Sequence, residues 1–337
     1  MNRLAEIAVR LKSSSNILVT SHIMPDGDSI GSLLGLGLAL QQAGHAVTMF
    51  SVDGVPDRYS FLDGSEKIVE KLPPKVDYDC VVILDCSDQD RIKPIWEQVK
   101  ELLIINIDHH PTNHFFGNLN YVNPDASATG EIVYQLLLEM AIPVDERVSA
   151  ALYVAISTDT GSFKFENTTP AAHEVAARLL EAGVKLREIT PRVFDLRSRT
   201  AICILREALN TLRYSEDGSV AWITLTEKEM ISCGARDEDL DGVVNYAKNI
   251  EGVEVGLIFR EKSDGVVKVG FRAHSIDVSK LAETLGGGGH ARAAGCFLEM
   301  SIKEAVEKVL DLVVKEVENG RNHQSFEASR DDVPRCC

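Results

Sequence analysis

The sequence predicts an α/β protein that consists of two domains. The chain has 337 residues, more than the roughly 250–300 residues at which single hydrophobic cores stop growing. In its first half, short continuous apolar runs alternate with helical patterns, which is typical of a parallel sheet covered on both faces. In its second half, strands are joined by turns as well as by helices. We therefore expect a parallel-sheet N-terminal domain and a smaller C-terminal α/β domain with a mixed sheet.

The N-terminal domain is expected over residues 1–185. Its strand candidates are apolar runs of five to seven residues between helical segments. Gly44 occupies the position of a helix C-terminal glycine, and Thr169 followed by Pro170 indicates the start of another helix. The predicted strands are 16–21, 46–50, 80–86 and 102–108, and the predicted helices are 29–44 and 170–183.

A helical linker and a second set of strands follow. Residues 186–213 stay helical and more charged, so we place the linker there, before a C-terminal domain at 214–320. Ser263, Asp264 and Gly265 predict a hairpin turn and thus a partly antiparallel sheet. Residues 321–337 form a polar tail that we expect to be mobile. The predicted strands are 219–226, 253–261, 266–273 and 296–300, and the predicted helices are 236–250, 277–285 and 301–317.

The composition limits the classes of partner. The formal net charge is −16 and 6% of the residues are aromatic, so the chain lacks the basic footprint of a duplex DNA-binding protein and the stacking surface of a long-strand channel. No apolar run reaches the ~20 residues of a membrane helix. The N-terminus has amphipathic spacing without the apolar core and cleavage site of a secretory signal. We expect a cytoplasmic protein that does not bind membranes.

The cysteines agree with a reducing compartment. Five of the seven are scattered singly among apolar neighbours and have no metal-type spacing. We predict that these five stay reduced in the core, and we assign no function to the adjacent pair at the end of the tail. The five are Cys80, Cys86, Cys203, Cys233 and Cys296, and the pair is Cys336 and Cys337.

Residue types that ligate metals follow several predicted elements. The carboxyl ends of parallel strands meet at one edge of a sheet, where ligands gather. A single aspartate after a strand is usually a turn or helix cap. Acids and imidazoles at four element ends, however, would accumulate repulsive charge without a cation. They are His22, Asp26 and Asp28 after the first strand, Asp85 after the third, Asp108, His109 and His110 after the fourth, and Asp159 after a helix near 150–156.

The ligand types indicate the metal. Carboxylates with imidazoles and no thiolate suit Mn²⁺, Co²⁺ or Mg²⁺, and the histidines favour a transition metal. We predict two Mn²⁺ ions, with Co²⁺ or Mg²⁺ as substitutes. Two cations about 3.5–4 Å apart can activate a water and neutralise the charge of an attacked phosphoryl group. The ligand sets share Asp85: His22, Asp26 and Asp85 for one ion, and Asp28, Asp85, His109 and Asp159 for the other.

The neighbouring residues Asp108, His109 and His110 are given different roles. Side chains that follow each other on extended backbone point to opposite sides, so we assign only His109 to the metal. We predict that His110 contacts the scissile phosphate or acts as an acid toward the leaving oxygen. Asp108 is predicted to orient a liganding histidine.

A second cluster lies late in the chain, where Gly286–Gly289 precede His290. Consecutive glycines allow backbone amides to approach a phosphate or carboxylate closely, although a flexible linker has the same composition. His290, and Arg272 at the end of the preceding strand, favour the binding site. We predict a substrate clamp that faces the metals across a cleft between the domains. Its residues are Arg272, Gly287, Gly288, Gly289 and His290.

With these motifs, the chain resembles the DHH-DHHA1 phosphoesterases, which include RecJ-like exonucleases and family II inorganic pyrophosphatases. The resemblance covers about residues 1–318. It implies a two-metal, usually Mn²⁺, site with the ligands above and a substrate-binding second domain. The matching segments are His22 with Pro25–Ser32, Asp85, Asp108–His110, Thr158–Phe163, and Gly286–His290 of the second domain.

The length most resembles the nano-RNase and pAp phosphatase subgroup of that family. Its members release 5′-mononucleotides from very short RNAs and remove the 3′-phosphate from adenosine 3′,5′-bisphosphate (pAp). This chain departs from the subgroup at Ala273, where a serine often follows the arginine. Ser275 is the candidate substitute in the substrate clamp.

The leading hypothesis is therefore a Mn²⁺-dependent phosphodiesterase and phosphomonoesterase whose partners are short RNAs and small nucleotides. Alternatives in the same class are hydrolysis of cyclic dinucleotides or of their linear products, and a RecJ-like single-strand exonuclease. A pyrophosphatase is disfavoured by the glycine-rich nucleotide clamp. From a different class, the chain could be a non-catalytic nucleotide sensor. A homodimer is among the assemblies that we consider.

Overall fold

The computed structural model describes residues 2–73, 76–262 and 265–331. The chain divides into two compact units, with unit 1 ending at Leu196 and unit 2 beginning at Arg197. This division falls within the segment 186–213 that was predicted to link two domains.

Unit 1 is built on a parallel five-stranded sheet with strand order β2-β1-β3-β4-β5. Every residue of β3 and β4 is buried, as expected for strands covered on both faces. The short edge strand β5 was not predicted, because three of its four residues are only partly buried and Asn120 interrupts its apolar pattern. The strands are β1 (Asn16–Ser21), β2 (Ala46–Phe50), β3 (Cys80–Leu84), β4 (Ile104–Asp108) and β5 (Leu119–Val122).

The described part of unit 1 also contains seven α-helices. A π-helical turn at Pro191–Asp195 follows the last of them. The helices are α1 (Leu4–Ser13), α2 (Gly27–Gln42), α3 (Lys93–Val99), α4 (Thr129–Met140), α5 (Glu146–Asp159), α6 (Pro170–Glu181) and α7 (Leu186–Thr190).

The close packing of α2 against α5 sets the position of the later site residues. A Cβ atom at Gly27 would overlap the side chain of Thr158, and one at Gly31 would overlap the carbonyl of Ala151. Glycine at these two positions therefore lets the helices lie in backbone contact. This contact brings the first turn of α2 to the last turn of α5.

Unit 2 is built on a mixed six-stranded sheet with strand order β10-β11-β9-β8-β7-β6. The pair β7–β8 is parallel and the other four pairs are antiparallel. The strands are β6 (Arg213–Tyr214), β7 (Val220–Leu225), β8 (Val255–Glu261), β9 (Val266–Ala273), β10 (Gly288–His290) and β11 (Ala293–Glu299). The helices are α8 (Arg199–Asn210), α9 (Glu227–Cys233), α10 (Val243–Lys248), α11 (Val278–Thr284) and α12 (Ile302–Asp331).

Two predicted helices differ from those observed. The helix expected at 236–250 is interrupted, because Gly242 takes a φ of 77° between a 3-10 turn and α10. The last helix continues to Asp331 instead of ending near 317. No proline interrupts it within that span, and a single Gly320 costs a helix only about 1 kcal/mol. The antiparallel pair β8–β9 is present as predicted, but Ser263 and Asp264 of its turn lie outside the described residues.

The prediction that all five scattered cysteines stay reduced is wrong for two of them. Cys203 on α8 and Cys233 at the end of α9 form a disulfide, with their Cα atoms 5.6 Å apart. They are 30 residues apart in sequence, so only the packing of α8 on α9 reveals the pair. Cys80, Cys86 and Cys296 are free and buried, whereas Cys336 and Cys337 lie outside the described residues.

Among the described residues, none of the helices combines the length and the apolar character that a bilayer crossing requires.

Candidate metal centre

The site residues of unit 1 meet at the carboxyl edge of its parallel sheet. β1, β3 and β4 are neighbours, so the segments that follow them emerge side by side. His22 follows β1, and Asp108 is the last residue of β4. Asp85 follows β3 with a left-handed φ of 55°, and its amide donates to the carbonyl oxygen of Ile107 at 3.0 Å. A non-glycine residue in this conformation is strained, which is common at functional sites.

Imidazoles and carboxylates surround Asp85. His22 Nε2 lies 3.4 Å from Asp85 Oδ2, and His109 Nε2 lies 3.7 Å from Asp85 Oδ1. His109 Nε2 also lies 3.4 Å from Asp159 Oδ2 and 3.8 Å from Asp28 Oδ2. Three groups have possible ligand atoms within 4.8 Å of one another: His22, Asp26 and Asp85; Asp28, His109 and Asp159; and Asp85, His109 and His110.

The Asp28 carboxylate is held by the start of helix α4. Its oxygens accept hydrogen bonds from the amides of Thr129 at 2.6 Å and Gly130 at 2.9 Å, and from the hydroxyl of Ser32 at 2.9 Å. Despite these donors, burial and the nearby charges of Asp85 and Asp159 raise the pKa of Asp28 well above its usual value. The carboxylate is therefore fixed in place and electrostatically crowded, as expected for a cation ligand.

The other two central carboxylates differ in their titration. Burial, with the charge of Asp85, raises the pKa of Asp159 to about 6. Burial also acts to raise the pKa of Asp85. The hydrogen bond from His22 and the charges of the surrounding histidines outweigh it and lower this pKa to about 2. Asp85 is thus the carboxylate that most readily stays ionised at the centre.

The structure corrects the prediction for the two adjacent histidines. We expected their rings to point in opposite directions, but the ring centroids are 4.7 Å apart and both rings lie beside Asp85. The reason is that β4 ends at Asp108, and the Asp108 side chain accepts the His109 amide at 2.9 Å, so the chain turns here. His110 is therefore also within reach of a cation or of a substrate beside it.

The partner of Asp108 is also corrected. Its Oδ1 atom lies 2.7 Å from Nδ1 of His110, not beside the ring of His109. His109 Nδ1 instead lies 3.2 Å from the carbonyl oxygen of Ala126, which leaves Nε2 facing the carboxylates. Burial acts to lower the pKa of His110, but the bond to Asp108 and the charge of Asp85 raise it to about 9.

Several supporting residues were missed by the sequence analysis. Asn113 donates to Asp108 Oδ2 at 2.6 Å and to the side-chain oxygen of buried Asn106 at 2.9 Å. Thr129 donates its hydroxyl to Asp85 Oδ1 at 3.1 Å. A usable signal was Asn106 itself, a polar residue within the otherwise apolar strand β4.

The residues present fit divalent cations. The donors are carboxylate oxygens and imidazole nitrogens, without a thiolate, which suits Mn²⁺, Co²⁺ or Mg²⁺. Nδ1 of His22 lies 2.7 Å from the carbonyl oxygen of Ile23, so Nε2 is the atom that faces Asp85. Such outer contacts orient metal-binding histidines. The buried carboxylates also carry the mutual repulsion that cations would relieve.

The residues predicted as a substrate clamp lie together in unit 2. Arg272, the next-to-last residue of β9, pairs with Ala293 of β11, which in turn pairs with His290 of β10. Burial lowers the pKa of Arg272, against the opposing charge of Asp241.

The glycines and Ser275 have roles within the fold. Cβ atoms at Gly287 and Gly289 would overlap strand β11, so these glycines are required by the chain's own backbone. Gly288 faces open space. Ser275 donates its hydroxyl to Glu254 at 2.7 Å, so it is already engaged in a structural contact.

The chain matches two family models. The DHH family, N-terminal domain, matches residues 16–156, and the DHHA1 domain matches residues 218–319. The first match runs from the start of β1 through most of α5 in unit 1, and the second lies within unit 2.

Relatives of similar length are known. The chain is 36% identical to the bifunctional oligoribonuclease and PAP phosphatase NrnA of Thermus thermophilus, over 89% of this chain and 90% of the relative. It is 25% identical to the protein of the same name from Bacillus subtilis, over 84% of this chain and 89% of the relative. Both alignments include unit 1 and unit 2.

Solved structures share the fold. An exopolyphosphatase-related protein from Bacteroides fragilis has a TM-score of 0.85 and 25% identity, over 93% of this chain and 95% of that one. RecJ from Thermus thermophilus, in complex with Mn²⁺, has a TM-score of 0.53 and 14% identity, over 92% of this chain and 54% of that one. The likeness to RecJ is one of fold.

Proposed function

Because the chain belongs to the DHH family and joins a DHH domain to a DHHA1 domain, we propose that it is a two-metal enzyme for very short RNAs and pAp. It is a hydrolase of phosphate esters. We propose that it releases 5′-mononucleotides from oligoribonucleotides of a few residues and converts pAp to AMP. The relative from Thermus thermophilus, named for these two activities, supports the substrate choice.

The observation that carries the two-metal proposal is the sharing of Asp85 between ligand groups. His22 and Asp26 lie on one side of it, and His109 lies on the other, close to Asp28 and Asp159. A carboxylate with one oxygen facing each side is suited to bridge two cations. We propose Mn²⁺ as both ions. When bound, they would supply a nucleophilic water at neutral pH and neutralise charge on the attacked phosphoryl group.

The protein's own groups would complete the reaction. Asp108 accepts a hydrogen bond from Nδ1 of His110. This bond and the charge of Asp85 raise the pKa of the imidazole to about 9, so it is protonated at neutral pH. We propose that Nε2–H of His110 donates to the scissile phosphate or to the leaving oxygen. The side chain of His110 is 32% exposed, so a substrate can reach it.

We propose that unit 2 binds the substrate through Arg272, His290 and the backbone around Gly288. A guanidinium recognises phosphate oxygens with paired donors, and the space beside Gly288 is open. We also propose that the enzyme acts in the cytoplasm, since its proposed substrates are fragments of intracellular RNA and nucleotide metabolism.

The test is hydrolysis of a substrate panel by chelator-stripped protein resupplied with Mn²⁺. The panel contains pAp, a 5′-phosphorylated diribonucleotide, a single strand of ~24 residues, a cyclic dinucleotide and pyrophosphate. We expect the highest kcat/KM for pAp and the diribonucleotide, and no turnover with the chelator alone. Preference for another member would reassign the substrate. No turnover of any member, with Mn²⁺ bound, would favour a nucleotide sensor.

A further inference from the structure

One face of the unit 2 sheet is open over its last three strands. Val269, Phe271 and Cys296 point into the core, so the residues that alternate with them on β9 and β11 face outward. The strand register arranges the outward residues in four rows. These are His290, Ala293 and Arg272; then Gly288, Gly295 and Gly270; then Phe297 and Lys268; then Glu299 and Val266.

The second row of this open face has no side chains. Gly288, Gly295 and Gly270 lie next to one another on three adjacent strands. A Cβ atom at Gly288 would meet no atom within 4 Å, whereas one at Gly270 would lie 2.9 Å from Ile258 and one at Gly295 3.1 Å from the carbonyl oxygen of Val269. The row therefore forms a shallow trough with a floor of backbone, and its Gly288 end leaves room for a planar group.

An aromatic ring and a cation border one side of the trough. Phe297 is 62% exposed, and Lys268 Nζ lies 6.0 Å from the centroid of its ring. A phenylalanine exposed to this extent has a free face for stacking. On the other side lie Arg272 and His290. Arg272 lies four positions after Lys268 on β9, about 13 Å along the strand at about 3.3 Å per residue.

The open face is positive although the chain has a net charge of −16. Its outward positions on β9, β10 and β11 include Lys268 and Arg272 but only one carboxylate, Glu299. Arg292 is exposed beside them. The charge of Asp241 also acts on Arg272, so Lys268 and Arg292 carry the excess positive charge of this face. An anionic ligand with an aromatic group would therefore match both the charge and the shape of the face.

We propose that this face binds one nucleotide, with its base stacked on Phe297 above the glycine trough and its phosphate at Arg272 and His290. The inference rests on the proposed function and adds to it a base subsite formed by Phe297, Lys268 and Gly288. Stacking on an aromatic ring accepts any base, because every base has a π-face. The subsite therefore predicts binding that requires a base but discriminates little among bases.

The test compares AMP with ribose 5-phosphate, which has the same sugar and phosphate but no base. Binding of each to the Mn²⁺-loaded protein is measured by calorimetry, for the wild type and for Phe297→Ala. We expect the variant to bind AMP about 5- to 150-fold more weakly, the range for loss of one stacked base. Its affinity for ribose 5-phosphate should not change. Equal affinity of the wild type for both compounds, or no measurable binding of either, would overturn the base subsite.

A second variant tests the trough without removing a contact. Gly288→Val adds a side chain where the protein leaves space, so the melting temperature should be retained while AMP binding falls. Tyr214→Ala removes another half-exposed aromatic, at the opposite edge of the same sheet, and should leave AMP binding unchanged. Unchanged AMP affinity in both Phe297→Ala and Gly288→Val would overturn the inference.

Turnover distinguishes failure of this inference from failure of the proposed function. If the wild type hydrolyses pAp and the diribonucleotide but Phe297→Ala has the same KM, the base subsite is wrong and the function stands. If the wild type hydrolyses neither, the function is wrong, and the comparison of AMP with ribose 5-phosphate still decides the base subsite.

Discussion

The metal centre of unit 1 and the open face of unit 2 hold their polar groups in opposite ways. Asp28 and Asp85 are each 1% exposed, and their oxygens already face amides, hydroxyls or imidazoles. On the open face, His290 and Arg292 are exposed, and Phe297 has one free ring face. The metal centre is thus arranged before any ligand binds, whereas the open face obtains its partners only on binding. Substitutions should therefore change chemistry and stability in the first region, and affinity alone in the second.

The largest expected effect is at Asp85. Asp85→Asn keeps the shape of the side chain but removes the charge that both proposed ligand sets share. We expect kcat for pAp to fall on the order of 10³-fold or more. Metal analysis should find fewer than two Mn²⁺ per chain.

The matched control for that substitution is Asp125→Asn. It removes an exposed carboxylate outside the three ligand groups and should keep both the rate and the metal content. Two bound ions and a wild-type rate in Asp85→Asn would refute the bridging role of Asp85.

A smaller effect is expected at Asp108. Asp108→Asn removes the charged acceptor that orients the His110 ring and raises its pKa. We expect kcat to fall about 10- to 100-fold with little change in KM. The pH profile should also change, because the His110 pKa falls from about 9 toward its ordinary value and the loss of activity at high pH moves to lower pH. An unchanged profile would contradict the proposed role of His110 as the proton donor.

On the open face, Arg272→Gln should change binding alone. Loss of a guanidinium–phosphate contact is expected to raise KM for pAp about 10-fold while kcat stays within about two-fold. Arg213→Gln, on the exposed edge strand β6, is the control. A fall in kcat with KM unchanged would show that Arg272 acts on the reaction itself, and the contrast between the two regions would fail.

Glycine substitutions test the same contrast through stability. Gly31→Ala forces a methyl group against the carbonyl of Ala151, so we expect the free energy of unfolding to fall by about 1–3 kcal/mol. Gly288→Ala meets no atom and should change it by less than about 0.5 kcal/mol. Chemical denaturation of both variants measures this. Equal losses would mean that the trough is as tightly packed as the contact between α2 and α5.

The last prediction concerns the pH dependence of the metal-free protein. The folded-state pKa of Asp159 is raised from 3.8 to about 6, so the folded state binds more protons than the unfolded state within that window. The contribution of Asp159 to the free energy of unfolding is therefore lost as the pH rises from about 4 to about 6, by at most about 1.4 kcal/mol per pH unit. Unfolding in chelator should show Asp159→Asn gaining stability relative to wild type across this window. A constant difference would contradict the raised pKa.

The approximate position of the metal centre could be predicted from the sequence, because a parallel sheet forces strand ends together. His22, Asp85 and His109 follow buried strands, and the structure places them beside one another. The directions of single side chains could not be predicted. His110 points to the same side as His109 only because the backbone turns at Asp108.

Contacts between segments that are distant in the sequence could not be predicted either. Nothing near Thr129 indicates that its amide meets Asp28, since 101 residues separate them. The disulfide between Cys203 and Cys233 likewise depends on how α8 packs on α9. In unit 2, the glycine run suggested a ligand, but Gly287 and Gly289 are required by the adjacent strand β11.

The backbone contact between α2 and α5 has a consequence for how sequences of this family diverge. Gly27 and Gly31 meet Thr158 and Ala151 with no space for another atom. A larger residue on α2 is therefore acceptable only together with a smaller residue or a shifted backbone on α5. In an alignment of relatives, position 27 should covary with position 158, and position 31 with position 155, whose Cβ atom would lie 2.8 Å from a Cβ atom at Gly31. Pairs that fail to compensate should be absent from active members.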